Sequence, residues 1–239
     1  MSEVGRILNK ANQNLFLLLE KNEVQLWESR LERVQQLPGI SSTFKRIADA
    51  PDREQLCDYL AEIRYALVFI GLGFQVQVEP LGLGKKGPDL EISRDGHSAV
   101  VEVKRFRQVD PGPPKISPSD KEFLDDTFLL EPYGDPERDI KKIISRIAEK
   151  FRQVGNRESI IAIWNDDEKD IESEDALSEL RNDADQQRLL LPAGLLFVLY
   201  GSDWQRPRHR FYCFPLRILG TPQSNWMQEL ESPFVYTLM

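Results

Sequence analysis

The sequence predicts a mixed α/β fold. Three observations carry it: an amphipathic helix pattern from about Pro51 to Ile70, an alternating strand followed by a hairpin signal between Phe74 and Phe106, and a helix after Asp135 that leads into an apolar strand, Ser159 to Trp164.

The N-terminal fifty residues read as helices. Ile7, Leu8, Ala11, Leu15, Leu18 and Leu19 keep helical spacing, as do Val24, Trp27, Leu31 and Val34. Pro38-Gly39 ends the second run, and a short third helix is expected around Phe44 to Ala48. Residues 1–50 are thus a helical extension that packs on the core or mediates dimerisation, and residues 51–239 hold the main domain. In that domain Leu56, Leu60, Ile63, Leu67 and Ile70 form the apolar stripe of a helix stopped by Gly71 and Gly73. Phe74 to Glu79 alternates strictly up to Pro80, the pattern of a half-buried strand. Leu90 to Phe106 is a hairpin turning at Asp95-Gly96. Residues 107–135 are punctuated by Pro111, Pro113, Pro114, Pro118 and Pro132, which block regular structure. Asp135 caps the next helix, with Pro136 at its first position and Ile140, Ile143, Ile144, Ile147, Phe151 and Val154 on its apolar face. A crossover through that helix makes the strand Ser159 to Trp164 parallel to the second hairpin strand. Leu195 to Tyr200 and Arg210 to Phe214 are expected as two further strands.

Composition narrows the chemistry. Apolar content of 41% and charged content of 29% suit a folded globular chain rather than a disordered one. No apolar run approaches the roughly 20 residues that span a bilayer, and nothing resembles a cleavable signal, so a cytoplasmic location without membrane contact is expected. Two cysteines, Cys57 and Cys213, make neither a disulfide framework nor a zinc cluster, and two histidines are too few for a three-imidazole site. A metal here must rest on carboxylates, which favours hard cations such as magnesium.

A two-residue turn at Asp95-Gly96 opposes Arg94 to His97 and, in the same register, Asp89 to Glu102. Leu90, Ile92, Ala99, Val101 and Val103 then share one apolar face, while Glu102 and Lys104 share the other with Asp89. Directly opposed carboxylates stand about 4.5–5.5 Å apart at Cβ and destabilise a sheet. A divalent cation turns that repulsion into ligation, and a lysine alongside can hold and polarise an attacking water near a phosphate. A Glu-x-Lys on a strand is by itself common on solvated surfaces. The facing Asp89 raises it to a candidate site.

Gly87-Pro88-Asp89-Leu90 followed by Val100-Val101-Glu102-Val103-Lys104-Arg105 resembles the PD-(D/E)XK nuclease superfamily. Within it the chain is most similar to archaeal-type Holliday-junction resolvases and methylation-directed restriction endonucleases. The resemblance covers about residues 55–165. It implies a restriction-endonuclease-like core of a helix, a three-stranded antiparallel meander, a crossover helix and a parallel strand, to which this chain adds its N-terminal helices and extra C-terminal strands. It implies magnesium, replaceable by manganese, held by Asp89, Glu102 and the Val103 backbone carbonyl. It assigns water activation to Lys104 and a supporting or second-metal role to Glu62, eleven residues before Gly73-Phe74. It also implies DNA cleavage to a 5′-phosphate and 3′-hydroxyl, often by a homodimer, for which the N-terminal helices are candidates. The chain departs from the pattern in its proline-rich insertion at 107–135, in both terminal extensions and in lacking a serine before Asp89.

The net charge of −8 weighs against a nucleic-acid partner, but it is unevenly spread. Residues 120–139 carry −6 and residues 165–185 carry −8, so the total of −8 leaves +6 for the remainder. Lys142, Arg146 and Lys150 on the helix after the hairpin, with Lys85, Lys86 and Arg105 around the acids, are candidate phosphate contacts. A solvated amphipathic helix explains the same charges. The leading expectation is a metal-dependent DNA endonuclease of restriction, repair or defence. The alternative is a catalytically inactive nuclease-like scaffold that binds nucleic acid or a protein partner.

Overall fold

A computed structural model of the chain describes residues 3–14, 21–80, 87–106, 157–165, 194–202, 208–215, 225–230 and 234–237, with Ile144, Ser145, Ala148, Lys150, Ser178, Asn182 and Gln186. The expected helix from Pro136 is represented by helical positions at Ile144, Ser145, Ala148 and Lys150, and the acidic stretches lie outside the described residues apart from Asn165, Ser178 and Asn182.

The fold is mixed α/β. Helices α1 (Glu3–Asn14), α2 (Lys21–Val34), α3 (Ile40–Ala48) and α4 (Arg53–Gly71) precede a sheet. Among the described residues the sheet has seven strands in chain order: β1 (Gln75–Val78), β2 (Leu90–Arg94), β3 (His97–Phe106), β4 (Ser159–Asn165), β5 (Leu195–Ser202), β6 (Arg208–Pro215) and β7 (Phe234–Thr237). β1, β2 and β3 form an antiparallel meander, β3, β4 and β5 run parallel, and β5, β6 and β7 return to antiparallel pairing. None of the described helices is long and apolar enough to cross a membrane.

Helix α4 is bounded by its own sequence. Asp52 caps it by accepting from the Gln55 amide at 2.8 Å. Its far end is a Schellman closure: Gly73 N–H donates to Ile70 and Phe74 N–H to Phe69, with Gly73 at φ +85°. The Phe69 and Phe74 rings meet edge-on at 5.8 Å, the apolar contact that accompanies such closures.

The apolar stripe expected on α4 understates its burial. Every residue from Leu60 to Phe69 is buried, Glu62 and Arg64 included. The sheet covers one side through Ala99, Val101 and Val103, and the N-terminal helices cover the other through Leu8, Trp27, Leu31 and Ile47, all within one hydrophobic cluster. Arg64 stays in that setting by stacking on the Trp27 and Trp164 rings at 5.0 and 4.6 Å. The turn from α2 into α3 is joined to the sheet as well, because Val78 N–H donates to the Pro38 carbonyl at 2.9 Å. Gly39 is required there: at φ +83° its missing Cβ would lie 1.8 Å from the Val78 carbonyl oxygen.

The hairpin turns as the sequence indicates. Asp95 and Gly96 both have positive φ, 54° and 81°, as a type I′ turn requires. The register pairs Arg94 with His97 and Leu90 with Val101, so extension by one residue opposes Asp89 to Glu102. A C-terminal 3-10 segment, Asn225–Leu230, packs against the turn end of this hairpin, where Trp226 stacks on His97 and meets Phe74 edge-on. Neither this segment nor β7 is expected from the sequence pattern, and β6 begins at Arg208 rather than Arg210.

Candidate metal centre

Strand alternation sorts the side chains of β3. Ala99, Val101 and Val103 point to the α4 side and join its core, while Val100, Glu102 and Lys104 fall on the opposite side. Ile161 and Val198, which alternation puts on that second face, are buried. Glu102 therefore stands in a desolvated setting, and its side chain is 0% exposed. Asp89, at the entry to β2, is 21% exposed and opens the site to solvent.

The structure brings Asp89 and Glu102 together. Asp89 Oδ2 accepts from the Val103 amide at 2.6 Å, which fixes its carboxylate over β3. So Val103 contributes its N–H to Asp89, with its side chain in the core. Lys150 closes the arrangement: its Nζ lies 2.7 Å from Glu102 Oε2 and 3.4 Å from Asp89 Oδ2. Among the described residues Glu102 Oε1 is buried with no hydrogen-bond partner. Burial, reinforced by the neighbouring Asp89 charge, pushes the Glu102 carboxyl up to about 7 despite Lys150. Burial pulls the Lys150 ammonium down, but the two carboxylates outweigh it and hold its pKa above the ordinary lysine value.

Glu62 approaches from α4 and meets a different cation. Arg46 of α3 donates to Glu62 Oε2 at 2.7 Å and to Oε1 at 3.3 Å, and the same guanidinium lies 2.7 Å from Glu79 Oε1. It also covers the Tyr59 ring at 4.6 Å. Burial comes first in raising the Glu62 carboxyl to about 8, the charge of Asp89 second, and Arg46 only partly offsets them. Arg46 moves up in turn, because Glu62 and Glu79 outweigh its own burial. Glu62 and Glu102 thus both feel Asp89, one from each neighbouring element.

Lys104 is half-buried, in register with Ile163 of β4 and on the Glu102 side of its strand by alternation. Two residues expected at a phosphate surface are placed elsewhere. Arg105 turns to α4, donates to Asp58 at 3.1 Å and pairs with Glu54, leaving its side chain 5% exposed. Lys150 is 12% exposed and engaged with the acids, so it belongs to the centre rather than to an outer basic face. Lys85, Lys86, Lys142 and Arg146 lie outside the described residues.

The sequence pattern missed Arg46 altogether, and it put Lys150 at a phosphate rather than against the acids. The second had a signal: in the sequence Lys150 falls three residues after Ile147 and four before Val154, a cation set into an apolar stripe. Arg46 likewise falls three residues after Thr43 and four before Ala50, both buried.

Among the described residues no group of three or more His, Cys, Asp or Glu is gathered to hold a metal. The centre offers two carboxylates and the nearby backbone. A hard divalent cation fits that donor set, because all the donors are oxygen and Glu102 Oε1 is buried without a hydrogen-bond partner among the described residues. No protein-family model matches the chain, and no curated protein or solved structure matches it either.

Proposed function

We propose that the protein is a magnesium-dependent DNA endonuclease of the PD-(D/E)XK kind, with a restriction-endonuclease-like core formed by α4, the β1–β3 meander and β4. The observation that carries this reading is that Asp89 and Glu102 share one ammonium, Lys150, at the entry to β2, with Glu102 fully buried. Two acids forced together in a desolvated place cost stability, and a cation site explains their position.

In this reading Asp89, Glu102 and the Val103 carbonyl hold the ion. When bound, magnesium supplies positive charge to the developing phosphorane and lowers the pKa of a water molecule. The protein does the positioning. The Val103 amide keeps the Asp89 carboxylate pointed at Glu102, and the exposed side of Asp89 is the side from which a phosphate approaches. Lys104 orients the attacking water through its ammonium group, and Glu62, clamped by Arg46, accepts a hydrogen bond from a second water on the α4 side.

A specific observation supports a second reading. Arg46 pairs with Glu62, and Lys150 already bridges Asp89 and Glu102. Such a centre is partly charge-compensated without metal, as in a nuclease-like scaffold that binds nucleic acid or a protein without cutting.

Plasmid nicking separates the two. The nuclease reading expects relaxed or linear product with magnesium or manganese, lost in Asp89→Ala and in Lys104→Ala at unchanged unfolding midpoint. Salt-dependent binding with no turnover on duplex, branched and modified substrates would give the scaffold the advantage.

A further inference from the structure

We infer that Lys150 is a resident counter-cation of the metal centre, which a divalent ion must displace in order to bind. The inference rests on the metal-site reading above and adds a mode of control to it. Its ammonium sits where a cation shared by these acids would sit, 2.7 Å from Glu102 Oε2 and 3.4 Å from Asp89 Oδ2. The Lys150 side chain is 12% exposed, so this is an inserted group rather than a surface contact. Charge points the same way. Two carboxylates balance one dication, whereas two carboxylates and an ammonium leave only one negative charge for it. A second observation is Glu102 Oε1, buried and without a hydrogen-bond partner among the described residues, since the ammonium satisfies only its sister oxygen. Lysine suits a displaceable role: its compact charge rides on a flexible stem that can swing aside without moving the backbone. By contrast, Arg46 holds Glu62 through two contacts of a planar fork and stays in place.

The test is manganese binding to the full chain, read by electron paramagnetic resonance, for wild type, Lys150→Met and Lys150→Arg. Displacement expects Lys150→Met to bind about tenfold tighter or more, with Lys150→Arg close to wild type because a guanidinium can bridge the same acids. Equal or weaker binding by Lys150→Met overturns the inference. A second measurement needs no variant: acetylation of the Lys150 amine, followed by mass spectrometry, should rise severalfold when wild type is saturated with manganese. Unchanged labelling overturns the inference too. The outcomes separate it from the nuclease proposal. Tighter binding by Lys150→Met without any plasmid cleavage by wild type supports displacement and refutes the nuclease. Equal binding by both with metal-dependent cleavage refutes displacement alone. No binding by either overturns both.

Discussion

Replacing Arg46 by Met asks what keeps an ionisable Glu62 inside the protein. Met preserves apolar bulk over Tyr59 but removes the guanidinium held 2.7 Å from Glu62 Oε2. The cost depends on the protonation of Glu62, whose carboxyl sits at about 8 because burial and Asp89 outweigh Arg46. Near pH 6 it is protonated, and the guanidinium offers it hydrogen bonds worth about 1 kcal/mol. Near pH 9 it is ionised beside Arg46, and without the guanidinium it takes up a proton instead, which adds about 1.4 kcal/mol for each pH unit above 8. The Arg46 side chain is 27% exposed, so water compensates in part and trims this further. The coupling between Arg46 and Glu62 should therefore grow by about 1 kcal/mol from pH 6 to pH 9. Urea unfolding of wild type, Arg46→Met, Glu62→Gln and the double variant at both pH values measures it, and the cycle cancels what Arg46 contributes through Glu79. A coupling that is independent of pH, or larger at pH 6, would refute the reasoning.

Two further expectations concern stability. Between about pH 4.5 and 8 the folded chain keeps a proton on Glu62 that the unfolded chain has released, so this group's contribution to unfolding free energy falls as pH rises across that window; Glu62→Gln should flatten the slope, and an unaltered pH profile would count against the burial argument. Gly39→Ala should cost about 3 kcal/mol or more, because its Cβ would strike the Val78 carbonyl 1.8 Å away and separate the α2–α3 turn from β1; a urea midpoint within measurement error of wild type would contradict that docking.

What the sequence made legible was local. Asp95-Gly96 sets the hairpin register through its positive φ values, and from the register alone Asp89 faces Glu102. Gly73 and the apolar spacing before it bound α4, while its Asp52 cap shows only in the structure. What stayed hidden was long-range. Arg46 reaches Glu62 across sixteen positions and Lys150 reaches Glu102 across forty-eight, distances over which no periodicity speaks. The same reason explains Arg105. Its neighbour Lys104 advertised a basic site, but alternation sends Arg105 to the opposite face, where Glu54 and Asp58 of α4 await it. The N-terminal helices read as an appendage because their stripes say only that they pack. Their burial against α4, and the passage of Arg46 from α3 into the candidate centre, follow from the assembled fold. Strand β7 is four residues long, too short for alternation to distinguish it from a loop.

Anomalous diffraction from crystals soaked in manganese tests most directly whether Asp89 and Glu102 exist to share a cation. A peak within ligation distance of oxygens from both residues, with the Lys150 amine moved off Glu102, is the expected result. Lys150 still bridging the two carboxylates at saturating manganese, with no peak beside them, would contradict it.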